Sequence, residues 1–232
     1  MPTKTLSNYV AGVRSKLTGQ GSTGPIAEAD IIEAVGDAVD QYSRDKPLEK
    51  LHVITGDGTN RYTLPTDWED GFSNILYIEY PAGTNAEKFP SILHQDEVMI
   101  WEDNTSKKFQ FTRRSLATSE TAWVKYTVHH TLDSSTNTIQ DHDYEAVVFL
   151  STAFASLYAA GQLIKSRGNT PVDGAFPNFN TTSSAYKNFA QEMLKFYYKR
   201  LGIAADGRKG ALRIFDVETL PIHGQGFLTG RG

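Results

Sequence analysis

The feature that most constrains the fold is the order of hydrophobic patterns along the chain. Helical spacing occupies residues 1–47, strand and turn signals occupy 48–140, and helical spacing returns over 141–202. Because the helical and strand periods differ, the pattern predicts an α+β fold with a core of about four helices. We predict that 48–140 is an inserted antiparallel β-sandwich or barrel-like module, and that 203–232 is an extended C-terminal arm. This layout favours a subunit of an assembly over an enzyme.

The first half of the predicted core contains two amphipathic helices. The first carries its apolar stripe on Leu6, Val10, Val13 and Leu17. The second is predicted from about Ala27 to Arg44, with the stripe Ile32, Val35, Val39 and Tyr42. It ends before Pro47, because proline and the residue before it disfavour helix.

The module reads as short strands separated by glycine and proline. We predict strands at 51–55, 61–64, 75–80, 98–101, 108–112 and 122–129. Asp57-Gly58 supplies the positive φ of a tight hairpin between the first two strands. In the last strand Val124, Tyr126 and Val128 alternate with Lys125, Thr127 and His129. Such alternation is typical of a sheet with one covered and one solvated face.

The second half of the core begins near Asp141 or Asp143, either of which could cap a helix running to Ile164 or Lys165. Its stretch Ala146–Ala160 is apolar on nearly every side but shorter than the ~20 residues of a membrane span, so it predicts a buried central helix. A second helix, from about 182 to 201, carries the stripe Tyr186, Phe189, Met193 and Tyr197.

Composition excludes several classes of protein. The chain has no cysteine, which rules out disulfides and thiolate metal sites, and its start does not resemble a signal peptide. A net charge of -4 argues against a protein whose main function is to bind the phosphates of nucleic acids. Neither Gly19–Gly24 nor Gly56–Gly58 matches a nucleotide-binding loop, and no Gly-x-Ser-x-Gly elbow is present. We predict no cofactor and no catalytic residues.

Two groups of residues leave other functions open. The densest group of titratable residues consists of His129, His130, Asp133, Asp141, His142 and Asp143. This group could hold a divalent metal ion, although no pair of ligands at i,i+3 or i,i+4 spacing sets the coordination geometry. Aromatic side chains of the module could form a sugar-stacking platform, although such residues are more often core: Trp68, Tyr77, Trp101 and Trp123. Glu79 is a lone strand carboxylate that faces solvent or pairs with an arginine such as Arg113 or Arg114.

Three segments in sequence order resemble the head-to-tail adaptor, or connector, proteins of tailed bacteriophages. They are an acidic helix closing in Tyr42-Ser43-Arg44-Asp45-Lys46-Pro47, then Tyr62-Thr63-Leu64-Pro65-Thr66-Asp67-Trp68, then Ile75-Leu76-Tyr77-Ile78-Glu79-Tyr80-Pro81. The strand at 124–130, followed by an alanine-rich helix, is similar to that group as well. The resemblance covers about Ala27 to Leu201 in coarse order, and its motifs are structural rather than chemical.

The resemblance implies a virion protein of the neck between capsid and tail, assembled in the host cytoplasm. It implies a dodecameric ring that sits beneath the portal protein and meets a downstream tail protein. Double-stranded DNA would pass non-specifically through the channel, and no membrane is involved. The arm from Ile203 would dock on a neighbouring subunit or on the portal.

The tail carries one compact apolar patch, Leu212–Val217, in a glycine-punctuated and locally basic sequence. We predict that Leu212, Ile214 and Phe215 anchor the arm, with Arg213 beside them. The alternative function is a ligand- or carbohydrate-binding β-module of a phage tail or baseplate protein. A third is weak metal-dependent hydrolysis using His129, His142 and Asp143.

Overall fold

The computed structural model describes residues 3–18, 26–83, 92–93, 95–102, 106–166 and 179–203. Within these ranges the helices are α1 Leu6–Thr18, α2 Glu28–Asp45, α3 Tyr144–Ser166 and α4 Phe179–Leu201. The strands are β1 Leu48–Thr55, β2 Arg61–Thr63, β3 Ile75–Glu79, β4 Val98–Glu102, β5 Lys107–Phe111 and β6 Thr121–Val128. Short 3₁₀ helices lie at Gln95–Glu97 and Asp141–Asp143. The predicted α+β fold is confirmed, with all described strands placed between α2 and α3.

Helix α3 is the centre of the helical core and packs against α1, α2 and α4. One segment of the described chain, Asp141–Gln162, is long and apolar enough to cross a membrane, with a mean hydropathy of 1.2. However, 61% of that segment is buried inside the protein, as expected for a core helix. Its buried hydroxyls at Ser151, Thr152 and Ser156 each donate to the carbonyl four residues earlier. Polar groups inside the core are thereby satisfied without help from another helix.

The apolar face of α2 differs from the predicted stripe at one position. Ile31 is 3% exposed, whereas Ile32 is 43% exposed, so the prediction for Ile32 was wrong. The buried face consists of Ile31, Ala34, Val35, Ala38, Val39, Tyr42 and Ser43. This face follows i, i+3, i+4 spacing once the alanines count as core, because small side chains let helices approach closely. On α4 the predicted stripe is confirmed, since Met193 and Tyr197 are buried and Tyr186 and Phe189 partly so.

The β-module consists of two three-stranded antiparallel sheets with a common hydrophobic core. The first sheet has the order β1-β6-β3, and the second has the order β2-β5-β4. Ile54, Ile78 and Val124 of the first sheet belong to one buried cluster with Phe109 and Phe111 of the second. Edge-to-face packing of Tyr62 and Phe111 adds to that cluster.

The predicted hairpin between the first two strands was wrong. β1 pairs along its length with β6, and β2 pairs with β5, so the two strands belong to different sheets. The reason lies in the connection, where the backbone N–H of Gly56 donates to the Glu120 carbonyl and that of Gly58 donates to the Leu116 carbonyl. These bonds hold the connection against residues 116–120 and carry the chain to the other sheet. The positive φ predicted at Gly58 is present, at 85°.

The predicted alternation on β6 holds at most positions but fails at Thr127. Val124, Tyr126 and Val128 are buried as predicted, yet Thr127 is buried as well. Its backbone N–H donates to the Asn74 carbonyl, and its hydroxyl accepts from the Asn74 N–H. Asn74 immediately precedes β3, so the loop before that strand covers this end of the sheet.

Candidate assembly surfaces

A buried carboxylate joins the helical core to the start of the β-module. Asp143 accepts a hydrogen bond of 2.7 Å from the Tyr42 hydroxyl and one of 2.6 Å from the Lys46 ammonium. Burial opposes ionisation of this carboxyl, but the bonds from Lys46 and Tyr42 outweigh it and lower its pKa. Asp143 is therefore a charged anchor for the end of α2.

The end of β6 is tied to the same end of α2. The backbone N–H of His130 donates to the Ser43 hydroxyl at 2.9 Å, and its Nε2 lies 3.0 Å from the Lys46 carbonyl oxygen. Its Nδ1 lies 3.1 Å from the Thr138 hydroxyl. Burial lowers the pKa of His130, and a carbonyl partner assigns the proton of the neutral ring to Nε2. The junction of helices and module is thus held by paired, buried polar groups.

The residues predicted as a possible metal site are engaged separately. Asp133 accepts from the backbone of Ser135 and Thr136, in a turn, and Asp141 accepts from Thr3. His142 is exposed and lies near Lys46 and Asp143. Over the ranges described above, no group of three or more histidine or acidic side chains is arranged to hold a metal ion. The structure therefore offers no geometric support for hydrolysis by His129, His142 and Asp143.

The four aromatic residues predicted as a possible sugar platform lie in different environments. Trp68 packs in the module core, edge-on to Phe109 at 5.6 Å and stacked on Tyr126 at 6.0 Å between ring centroids. Trp101 lies on the second sheet, with the guanidinium of Arg61 3.7 Å from its ring centroid. Tyr77 and Trp123 lie on the first sheet. The four rings do not form one stacking surface.

The predicted arginine pairs of Glu79 are also not made. Arg113 pairs with Asp96, and Arg114 pairs with Glu97. Glu79 instead lies near the Gly83 backbone N–H, at 3.5 Å. Sequence order alone gave no indication that the short 3₁₀ helix would supply the partners of both arginines.

A groove of about 550 Å³ opens where α1 and α2 meet the end of β6. Its lining includes Leu6 and Ile32 on one side and Glu69 and His129 on the other. The Nε2 of His129 lies 3.4 Å from the Glu69 carboxylate. The groove could not be predicted from the sequence, because its walls come from segments far apart in the chain.

Several large apolar side chains stay exposed on outward faces. On the helices these are Ile32, Leu157 and Phe196, which are 41–46% exposed. On β1 they are Leu51 and Val53, at 50% and 52%. Singly exposed apolar residues such as those on the helices are common on protein surfaces, whereas Leu51 and Val53 lie together on one face of β1.

The predicted docking residues Leu212, Arg213, Ile214 and Phe215 lie outside the described residues. So do the basic positions Arg208 and Lys209 and the loop glycines Gly19–Gly24. Ile203 is the last residue that the structure describes, immediately after α4.

No family model matches the chain, and no curated protein matches it. Among solved structures, the chain is similar to one from the neck of an empty gene transfer agent (GTA) particle with C6 symmetry. The two share 15% sequence identity, the match covers 77% of this chain and 88% of that chain, and the TM-score is 0.25. A chain from the neck of the native GTA particle with C12 symmetry shares 10% sequence identity. The match covers 77% of this chain and 91% of that chain, with a TM-score of 0.27. A chain from the virion of the native GTA particle shares 12% sequence identity; the match covers 78% of this chain and 88% of that chain, with a TM-score of 0.26. At TM-scores this low, the likenesses assign neither a fold nor a function to this protein.

Proposed function

We propose that this protein is a structural virion protein, a head-to-tail adaptor that forms a ring beneath the portal and joins capsid to tail. One observation carries the proposal: the described elements run helix, helix, six strands, helix, helix in a single chain. From α2 onward, over residues 27–201, this is the order that the resemblance to phage adaptors predicts. Such a role needs no catalytic side chains, because it depends on surfaces that bind other proteins.

A closed ring requires two different surfaces on each subunit, because its contacts are head-to-tail. The helical core supplies exposed apolar side chains on three helices, at Ile32, Leu157 and Phe196. Burying these side chains against neighbouring subunits would stabilise the ring by about 25 cal/mol per Å² of apolar area removed from water. The helices would then form the body of the ring, and the module would face outward or towards the tail.

The overall charge suits a channel through which DNA moves without adhering. The chain carries a net charge of -4, which opposes non-specific binding to phosphates. In this proposal the partners are the portal protein, further copies of the chain, and a downstream tail protein. Double-stranded DNA passes through without sequence-specific contact.

The arm beyond Ile203 provides the docking element in this proposal. Leu212, Ile214 and Phe215 are its closely spaced large apolar side chains, and Arg213 lies between them. An arm that becomes ordered only on docking makes assembly conditional on meeting the right partner, because the ordering entropy is lost at that step.

Light scattering and negative-stain imaging of the full chain, alone and mixed with the portal protein encoded near it, test the proposal. We expect rings stacked on the portal. A triple variant, Leu212→Asp with Ile214→Asp and Phe215→Asp, should weaken this docking. The matched control is Phe227→Asp with Leu228→Asp, which adds charge elsewhere in the tail.

A protein that ignores the portal and stays monomeric would contradict the adaptor function. The ligand-binding alternative would then be tested by glycan screening with tryptophan fluorescence. Its signal would come from Trp123, which lies on the outer face of the first sheet. An adaptor gives no sugar-dependent quenching.

A further inference from the structure

Strand β1 is an open sheet edge. All eight of its residues pair with β6 on one side, and it is the outermost strand of the order β1-β6-β3. Within the described ranges no strand pairs with its other side. A strand edge presents a row of backbone N–H and C=O groups, which is a template for a further strand. Glu49 and Lys50 protect the start of β1, but Leu51–Thr55 offers no such charge.

The outward face beside this edge is apolar. His52 and Ile54 point towards the module core, so Leu51 and Val53 point away from it, each about half exposed. The register extends that apolar face at Val53, which is opposite Trp123, whereas Leu51 is opposite Lys125, which pairs with Glu49. A strand added to β1 would cover both aliphatic side chains and pair the open edge.

The place where the described chain ends indicates what could occupy this edge. The hydroxyl of Tyr197, near the end of α4, donates to the Asp45 carboxylate at 2.6 Å. Asp45 ends α2, and β1 begins at Leu48. The chain therefore leaves the described region close to the level at which β1 starts.

The sequence beyond Ile203 also indicates the occupant of the β1 edge. Residues 211–217 contain four large apolar side chains within six positions, and in an extended strand Leu212 and Ile214 would share one face while Phe215 and Val217 would share the other. Their length matches most of the eight-residue β1. The linker 204–210 can span roughly 25 Å when extended.

We infer that residues 211–217 of a neighbouring copy add as a strand to the open edge of β1. The choice of a neighbouring copy rests on the proposed ring. Each subunit then gives one strand and receives another, which is the two-surface arrangement that a closed ring needs. Backbone hydrogen bonds supply the contact, and Leu51 and Val53 supply the apolar surface.

Cross-linking of full-length protein tests the inference, and the absence of native cysteine makes single thiols selective. A Val53→Cys protein is mixed with an Ile214→Cys protein and treated with a short bis-maleimide reagent. Mass spectrometry then identifies linked peptides. The matched control replaces the first partner with Met99→Cys, because Met99 is also exposed, at 48%, on the edge strand of the other sheet.

We expect at least about tenfold more linked product between copies for Val53→Cys than for Met99→Cys, since docking raises the local concentration of the two thiols. Equal yields in both mixtures would overturn the inference. If rings form on the portal without a link between positions 53 and 214, the inference fails and the adaptor function stands.

The double variant Val53→Cys with Ile214→Cys separates the remaining cases. A link formed only within one chain shows that the strand docks on its own subunit, which overturns the exchange between copies. A link between copies without any portal-bound ring supports the strand exchange and counts against the adaptor function.

Discussion

Asp143 is a buried carboxylate whose partner Tyr42 lies 101 positions away in the sequence. From the sequence it belonged to a titratable group and was a candidate helix cap. In the structure its charge is stabilised by the buried hydroxyl of Tyr42 and by the partly exposed ammonium of Lys46. At this scale the function of a side chain is set by which distant donors the fold brings to it.

We expect Asp143→Ala to lower the free energy of unfolding by about 2 kcal/mol, because the buried Tyr42 hydroxyl would lose its acceptor. Chemical denaturation followed by circular dichroism measures the loss. The control Asp141→Ala removes an exposed carboxylate that binds Thr3, and should cost about 0.5 kcal/mol or less. Equal losses in the two variants would show that Asp143 does not anchor the junction.

At the scale of elements, the connection between β1 and β2 determines that these two strands belong to different sheets. Gly56 packs so closely that an added Cβ would lie 2.2 Å from the Ala117 carbonyl oxygen. Gly58 has open space around it, but its φ of 85° favours glycine. The first glycine permits a close approach of two backbone segments, and the second permits the turn.

These two glycines should differ in their response to alanine. Gly58→Ala should cost about 1–2 kcal/mol for the left-handed backbone. Gly56→Ala should cost at least about 3 kcal/mol, because backbone atoms at residues 116–117 must shift as well. Thermal unfolding of both variants measures the difference, and a Gly56→Ala protein as stable as Gly58→Ala would contradict the close approach.

For the whole molecule, the informative surfaces are those that the monomer leaves uncovered. Two separate hydrophobic clusters stabilise the helical core and the module, and paired polar groups at Ser43, Lys46 and His130 join them. Exposed apolar residues remain on α2, α3, α4 and β1. In an assembly these apolar side chains would be buried and would stabilise the contact, whereas in a monomer they stay in water and contribute no such free energy.

We expect Leu157→Lys to weaken ring assembly by about tenfold or more while changing the monomer's stability by about 0.5 kcal/mol or less. Leu157 is 41% exposed on α3, so a lysine there can reach solvent in the monomer but is costly in an interface. Gln191→Lys, at an exposed polar position on α4, is the matched control. Light scattering across a concentration series gives the assembly midpoint; identical midpoints for both variants would remove α3 from the interface.

The sequence by itself determined the class and order of the elements. Helical and strand periods are local properties, so α1 to α4 and the strands could be predicted to within a few residues, including the buried centre at α3. The positive φ at Gly58 was predictable for the same reason, because an Asp-Gly step specifies its own backbone.

Only the tertiary structure decided which elements pair and which side chains meet. β1 pairs with β6 rather than β2 because backbone bonds at Gly56 and Gly58 divert the chain, and those bonds involve residues about 60 positions away. Ile32 is exposed because Ile31 and the alanines of α2 meet α3 more closely. The acceptors of Tyr42 and Tyr197, the groove beside His129 and the open edge of β1 all follow from non-local packing, which local periodicity does not encode.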